Sequence, residues 1–359
     1  MPGLFGLLEI GRRALASQQL SMNVTSHNIA NATTPGYTRQ RADLIATMPL
    51  KNAKGLFIGT GVSVEGIERL RNRFLDNQYR QSSGTLGSAS LRQGVLSQIE
   101  SVLNEPSDHG LQSAMTKFFN SFQELSAHPE DAGPRNAVLS QATHLVSTFN
   151  RISNGLIAQR NNLIDDAGNK IIQINSLTRQ IADLNAQIVS SRGAGNLPND
   201  LMDQRDQALD QLSQLANISA SVDSQGVMLV SIGGTLVAGN ATSVPLQMSA
   251  TANSLTITTS GGYALQVGGG QLGGLMEMYN TTIPGQQSQI DTLANTIITR
   301  VNAVHAAGYG LGDPPRTGIN FFTGTDARSI AVNNTISSNI NNIAASGDGA
   351  PGNNENALA

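Results

Sequence analysis

The chain has no cysteine and no tryptophan, and only 13% of its 359 residues are charged. Without cysteine there is no disulfide framework, no thiolate nucleophile and no cysteine-type zinc site. That absence also suits a protein that leaves its cell unfolded. The charged share is about half of the usual one, and a net charge of -3 argues against nucleic acid or an anionic membrane as partner. No apolar run is long enough to span a bilayer, and Met1 to Ile10 lacks the basic and apolar regions of a cleaved leader. The histidines, His27, His109, His128, His144 and His305, are scattered and form no HExxH pattern, and no GxSxG elbow occurs. No catalytic residue, metal site or cofactor is therefore expected. In place of charge the chain has abundant Asn, Gln, Ser and Thr, an uncharged polar surface that suits identical subunits packed side by side.

The first organised feature is a narrow helical seam. Leu4, Leu8, Gly11, Leu15, Met22 and Ile29 fall on alternating steps of four and three, with Gln18 and Thr25 filling the stripe. So narrow a stripe buries little within its own helix, so the helix is expected to need a partner. Thr34-Pro35-Gly36-Tyr37 ends it: the residue before proline leaves the α region, Pro35 fixes φ, and Gly36 accepts the positive φ of a type II turn. No second seam follows. Gly347 to Ala359 is loop-like, so the partner helix is expected to be missing and the lone helix to behave as a mobile arm.

From Arg39 to Glu65, short apolar patches between glycines predict an extended linker or hairpin. Helical periodicity resumes at Ile67 and reaches Leu103, with a break expected at Ser82-Ser83-Gly84. A helix from Gly110 to Ala127 precedes the longest signal, Arg135 to Ser191, whose stripe runs through Leu139, Ala142, Val146, Phe149, Leu156, Leu163 and Ala167 to Ile188. Gly193 to Pro198 ends it, and the next helix, capped by Asn199, should pair with it as a hairpin. Period-two patterning with glycine turns then marks a small antiparallel β region, followed by a helix from Leu272 to Ala307 that Pro284 is expected to kink or cap. Ile319 to Phe322 reads as an apolar plug and Ser329 to Val332 as a short strand. The fold class is a multidomain α+β protein: an axial helix and turn (1–35), a linker (36–66), a discontinuous helical bundle (67–218 plus 271–359) and an inserted β domain (219–270).

Two patterns mimic binding sites. Gly268-Gly269-Gly270-Gln271-Leu272-Gly273 matches GxGxxG between a strand and a helix, but a dinucleotide fold also needs a following parallel strand and a ribose-binding acid. A tight exit from the β region is expected. Asp200, Asp203, Asp206 and Asp210 share one side of a helix at helical spacing, not that of a calcium loop, and are expected to form a solvated face.

Asn28-Ile29-Ala30-Asn31-Ala32-Thr33-Thr34-Pro35-Gly36-Tyr37 resembles the N-terminal signature of the flagellar axial proteins, the rod, hook and hook-associated proteins. The motif residues it marks are Asn28, Asn31, Thr34, Pro35, Gly36, Tyr37 and Arg39. Thr38-Arg39-Gln40, Asn199 to Gln207, Gly269 to Leu275, Val301-Asn302-Ala303-Val304-His305 and Phe321-Phe322-Thr323-Gly324 are similar to the hook-associated branch. The resemblance implies a non-enzymatic structural subunit that joins hook to filament, self-assembles into a tubular junction after type III export, and resides outside the cell in the flagellum. Implied partners are further copies of itself in a helical homo-oligomer, the hook protein, hook-associated protein 3, and an export chaperone through a C-terminal region missing here. Leu4, Leu8, Leu15, Met22 and Ile29 would form the assembly interface. Larger family members carry a second β domain after Phe-Phe-Thr-Gly that this sequence lacks. The alternatives are a rod or hook subunit, expected to be mainly β after the turn, and a nucleotide-binding enzyme built around Gly268 to Gly273.

Overall fold

A computed structural model describes residues 4–51, 55–191, 197–350 and 352–359. The Leu4 side chain and the Gly193 to Asn196 loop lie outside the described residues. In chain order the elements are α1 (Leu4–Ala30), β1 (Gln40–Ala46), β2 (Leu50–Lys51), β3 (Phe57–Ile58), β4 (Val62–Arg69), α2 (Arg73–Leu103), α3 (Leu111–Ala127), α4 (Ala132–Ser191) and α5 (Asn199–Leu215). Then come β5 (Ile218–Val222), β6 (Met228–Ile232), β7 (Thr235–Ala238), β8 (Leu246–Ala250), β9 (Leu255–Thr259), α6 (Gly270–Glu277) and α7 (Ile283–Ala307). β10 (Phe322–Thr323), β11 (Ala331–Val332), α8 (Asn334–Ser338) and α9 (Glu355–Leu358) complete the chain. They form two compact units, one within Met1–Ser90, Ala167–Thr251 and Thr256–Gly274, the other of Leu91–Asp166, Ala252–Leu255 and Leu275–Ala359. The strands of 219–270 therefore share a unit with α1 and α5, 252–255 excepted. Among the described residues no helix is long and apolar enough to cross a membrane.

In the first unit, α1 lies across the β1–β4 hairpin as a docked helix, not as the free arm expected. Its inner side buries Ser17 and Val24, and the Ser17 hydroxyl donates to the Val62 carbonyl at 3.5 Å. β1 and β4 are antiparallel, with Gln40 opposite Arg69 and Ala42 opposite Ile67. Ile67 to Arg69, expected to open a helix, thus ends a strand, because three residues fit either period and pairing with β1 decides. α2 starts after Asn72, whose Oδ1 accepts from the Phe74 amide at 3.0 Å. The break expected at Ser82-Ser83-Gly84 does not occur. These small residues allow close approach instead: a Cβ on Gly84 would sit 3.1 Å from the Ser213 carbonyl oxygen, and one on Gly87 2.4 Å from that of Gln214. Asn199 also differs from expectation. It is the first residue of α5 rather than its cap, and its amide reaches sideways to Gln40 and Ile67.

β5, β6 and β7 form an antiparallel three-stranded sheet, and β8 pairs with β9. The GxGxxG segment is the tight exit expected. Gly270 has φ +69°, and a Cβ there would meet Ala216 at 2.5 Å, a backbone approach open only to glycine.

Five of the asparagines share one use. Asn28 donates Nδ2 to the Gln40 carbonyl and accepts the Gln40 amide on Oδ1, both at 2.8 Å. Asn175 does the same to Leu246, and Asn185 to Met228. In the second unit Asn280 treats Leu255 so, and Asn302 treats Phe322. A carboxamide presents one donor and one acceptor side by side, as a backbone residue does, so each of these asparagines satisfies both groups of a strand residue that would otherwise lack partners.

The core of the second unit follows α4. Val138, Ala142, Leu145, Phe149, Ile152 and Leu156 are fully buried, whereas Leu139 and Val146 of the expected stripe are half-buried. The buried face lies one residue round from the one read, since the apolar arc is broader than a two-position seam. Phe118, Phe122, Phe321 and Phe322 pack on one another in the same unit with ring centroids 4.8 to 5.8 Å apart. The disturbance expected at Pro284 is a π-helical segment, Met278 to Thr282, in which the Ile283 amide bonds back to the Met278 carbonyl. Widening the turn relieves the clash of the proline ring with the carbonyl four residues earlier.

His305 sits in this core, its Nδ1 donating to the Ile319 carbonyl at 2.7 Å and its Nε2 accepting the Ala344 amide at 2.9 Å. Burial holds its pKa below the ordinary histidine value. The unfolded chain therefore binds this proton more readily, and the neutral imidazole's contribution is complete above about pH 6.5 and lost as pH falls below it. Unfolding free energy should decline as pH falls below about 6.5, and His305→Gln should flatten that slope while lowering stability at about pH 7.5. Urea titrations at several pH values measure both.

Candidate functional site

The turn after α1 is built as its sequence requires. Gly36 has φ +82° and the Tyr37 amide donates to the Thr34 carbonyl at 3.2 Å, which defines a type II turn with Pro35 and Gly36 at its centre. Asn31 Nδ2 reaches back to the His27 carbonyl at 3.1 Å, and the Thr34 hydroxyl donates to Asn31 Oδ1 at 3.2 Å. The Tyr37 hydroxyl donates to Asn28 Oδ1 at 2.8 Å, so its oxygen accepts from His27 Nδ1 at 3.0 Å. Asn28, Asn31, Thr34, Gly36 and Tyr37 thus form one local network that fixes how α1 meets β1.

That network is clamped to α5. The Thr38 amide donates to Asp203 Oδ2 at 2.9 Å and Gln40 Nε2 to Asp200 Oδ1 at 3.3 Å. Beneath them lies an ionic cluster that replaces the solvated face expected from the sequence. Arg69 Nη1 donates to Asp203 at 2.7 Å and to Asp206 at 2.8 Å. Arg80 donates through Nε to Asp210 at 2.7 Å and approaches Asp206 at 3.3 Å. Arg71 reaches Asp206 and Asp210 at 3.4 and 3.5 Å and bonds Asp76 at 2.8 Å. Asp203, Asp206 and Arg80 are buried, so each charge depends on its partners. Burial, and then the charges of Asp200 and Asp203, push the Tyr37 hydroxyl above its ordinary pKa. A Cβ at Gly36 would stand 3.2 Å from Gln207. Gly36→Ala therefore adds left-handed strain to a contact with α5 and should cost about 1–2 kcal/mol, read as a shifted urea midpoint.

The outer side of α1 is apolar and open. Leu8, Leu15, Met22 and Ile29 are 61%, 74%, 63% and 73% exposed, in one row at heptad spacing. Beside them Glu9 pairs with Arg12 and Arg13 at 2.7 and 2.9 Å, which pull its carboxyl down to about 2. Among the described residues no group of three or more His, Asp or Glu is arranged to hold a metal ion.

Residues 8–38, the helix with the exposed seam and the Asn and Pro-Gly turn that locks its end, match the family model described as flagella basal body rod protein. The chain belongs to the flagellar hook-associated protein FlgK family, whose helical domain model matches residues 96–322, more than half of the chain. It is 41% identical to flagellar hook-associated protein 1 of Bacillus subtilis (strain 168) over 66% of this chain and 48% of that protein. To the protein of the same name from Salmonella typhimurium (strain LT2) it is 31% identical over 84% of this chain and 57% of that protein. A solved structure of the flagellar hook junction protein FlgK from Burkholderia pseudomallei is similar with a TM-score of 0.61 and 28% identity, covering 69% of this chain and 46% of that one. The chain spans about half the length of the curated relatives it matches.

Proposed function

We propose that this chain is a structural, non-enzymatic subunit of the junction between flagellar hook and filament, exported by the flagellar type III route and assembled outside the cell. The observation that carries the proposal is the exposed seam Leu8, Leu15, Met22 and Ile29 on a helix whose other side is already docked. Leu4 continues its spacing. An apolar row of this kind gains by burial against a second helix, supplied by the rest of a longer chain or by a neighbouring copy. Segments 1–35 and 36–66 would serve as the inner helix and its connector, 67–218 plus 271–359 as the wall, and 219–270 as its outward β region. The turn Thr34 to Tyr37, with Asn28 and Asn31, sets the angle between inner helix and wall, and the Asp203 clamp holds that angle. Partners are further copies in a helical array, the hook protein and hook-associated protein 3. An export chaperone would bind a C-terminal region beyond this sequence.

The match of residues 8–38 to a rod protein model favours a second reading, another axial subunit. Deleting the gene separates the two. Electron microscopy should show intact hooks without filaments, with flagellin in the medium, and the complete gene should restore filaments. Normal filaments would refute the junction role, and loss of the hooks too would favour a rod or hook subunit.

A further inference from the structure

Arg39 is the motif residue that the fold leaves unused. Its carbonyl accepts the Leu70 amide at 2.8 Å, but its side chain is exposed and has no hydrogen bond or ion pair among the described residues. Arg41, next on the same outer face, has Glu68 at 3.8 Å. On the other face of the strand, Gln40 points inward and lines a cleft of about 460 Å³ with His27, Leu197, Pro198, Asn199 and Asp200.

The described lining of the cleft holds acceptors and no cation. Asn199 is only 7% exposed and its Oδ1 has no partner, while its Nδ2 is committed to Gln40 Oε1 and the Ile67 carbonyl. Asp200 is exposed, with one bond from Gln40 Nε2. Among the described residues no lysine or arginine lines the space. Burial, and after it the charges of Asp200 and Asp203, raise the pKa of the neighbouring Tyr37. A guanidinium suits such a lining: planar, weakly hydrated, and able to serve two acceptors at once.

We propose that Arg39 of one copy enters the cleft of a second copy and pairs with the exposed carboxylate of Asp200. Arg39 precedes β1 and extends its pairing with β4 by one residue through the Leu70 amide, so by strand alternation its exposed side chain lies on the face opposite to Gln40 and the cleft. The contact is therefore between copies. Because knob and socket are different surfaces, it is heterologous and propagates as a ring or a helix rather than closing as a pair. This contact rests on the reading of the chain as a self-assembling flagellar subunit.

The test introduces Arg39→Glu, Asp200→Arg and their combination into the complete gene. The chain is quantified in isolated flagellar structures, with thermal melts of each purified variant. Each single reversal should cut the assembled fraction about tenfold, as like charges meet, and the combination should restore it. Singles that assemble like the unaltered chain, or a folded combination that stays unassembled, would overturn the contact while the subunit reading stands. Absence of the unaltered chain from flagella would overturn both. Where a variant fails to fold, proximity is read without charge reversal. Arg39→Cys and Asp200→Cys are placed on separate chains, neither with another cysteine in this sequence, so a short bis-maleimide applied to flagella assembled from both should yield cross-linked dimers. Assembled flagella that give only monomer would refute the contact.

Discussion

Asp206→Ala should lower the unfolding free energy by about 3–5 kcal/mol, the cost of breaking a buried ionic arrangement from one side. Asp206 faces Arg69, Arg71 and Arg80 at 2.8, 3.4 and 3.3 Å. Removing it leaves those cations with less compensating charge in a space largely closed to water. The damage should extend beyond α5, because Arg69 also holds Asp203, and Asp203 receives the Thr38 amide beside the motif turn. A urea titration would show a lower midpoint at unchanged slope, and hydrogen exchange should report earlier opening of Thr38 and Gln40 than of the Phe118 core. A loss under about 1 kcal/mol would mean that water reaches the cluster and screens it, as at a surface pair.

The same cluster shows what sequence can and cannot reveal. Residues 200–210 carry acids at helical spacing, and such a row is normally solvated. Their partners Arg69, Arg71 and Arg80 lie more than a hundred residues upstream, as the 126-residue gap from Arg80 to Asp206 illustrates. One signal was available: in a chain only 13% charged, four arginines within 69–80 and four aspartates within 200–210 are concentrated enough to invite pairing. Local features were legible because local physics decides them. Gly36 takes the positive φ that Pro35-Gly36 demands, α4 runs as one helix, and Phe321 and Phe322 plug a core. Where local signals were ambiguous, tertiary contacts decided. Ile67 to Arg69 joined β1 as strand, and Ser82 to Gly84 let α2 approach α5 instead of ending it. The paired asparagines were invisible for a similar reason: composition shows their abundance, but only the fold shows Asn185 beside Met228 or Asn302 beside Phe322.

The seam of α1 calls for a variant that separates folding from assembly. Leu15 and Met22 are 74% and 63% exposed, so Leu15→Gln with Met22→Gln removes little that the folded chain already buries, and glutamine is nearly as good a helix former as leucine or methionine. Folded stability should change by no more than about 0.5 kcal/mol. Assembly should change far more. Each side chain would contribute about 1.5–3 kcal/mol on full burial, so losing two forfeits about 3–6 kcal/mol, equivalent to two to four decades in an association constant. Cells carrying the double variant in the complete gene should retain hooks, lose filaments and swim no better than the deletion strain, while the purified variant melts with the unaltered chain. Full motility would show that the exposed row is not the assembly surface. A variant that melts early would instead show that α1 already buries this face, contrary to its exposure. The two failures are distinct because the helix has two sides: Ser17 and Val24 hold it to the hairpin, and Leu8, Leu15, Met22 and Ile29 are left for whatever covers it.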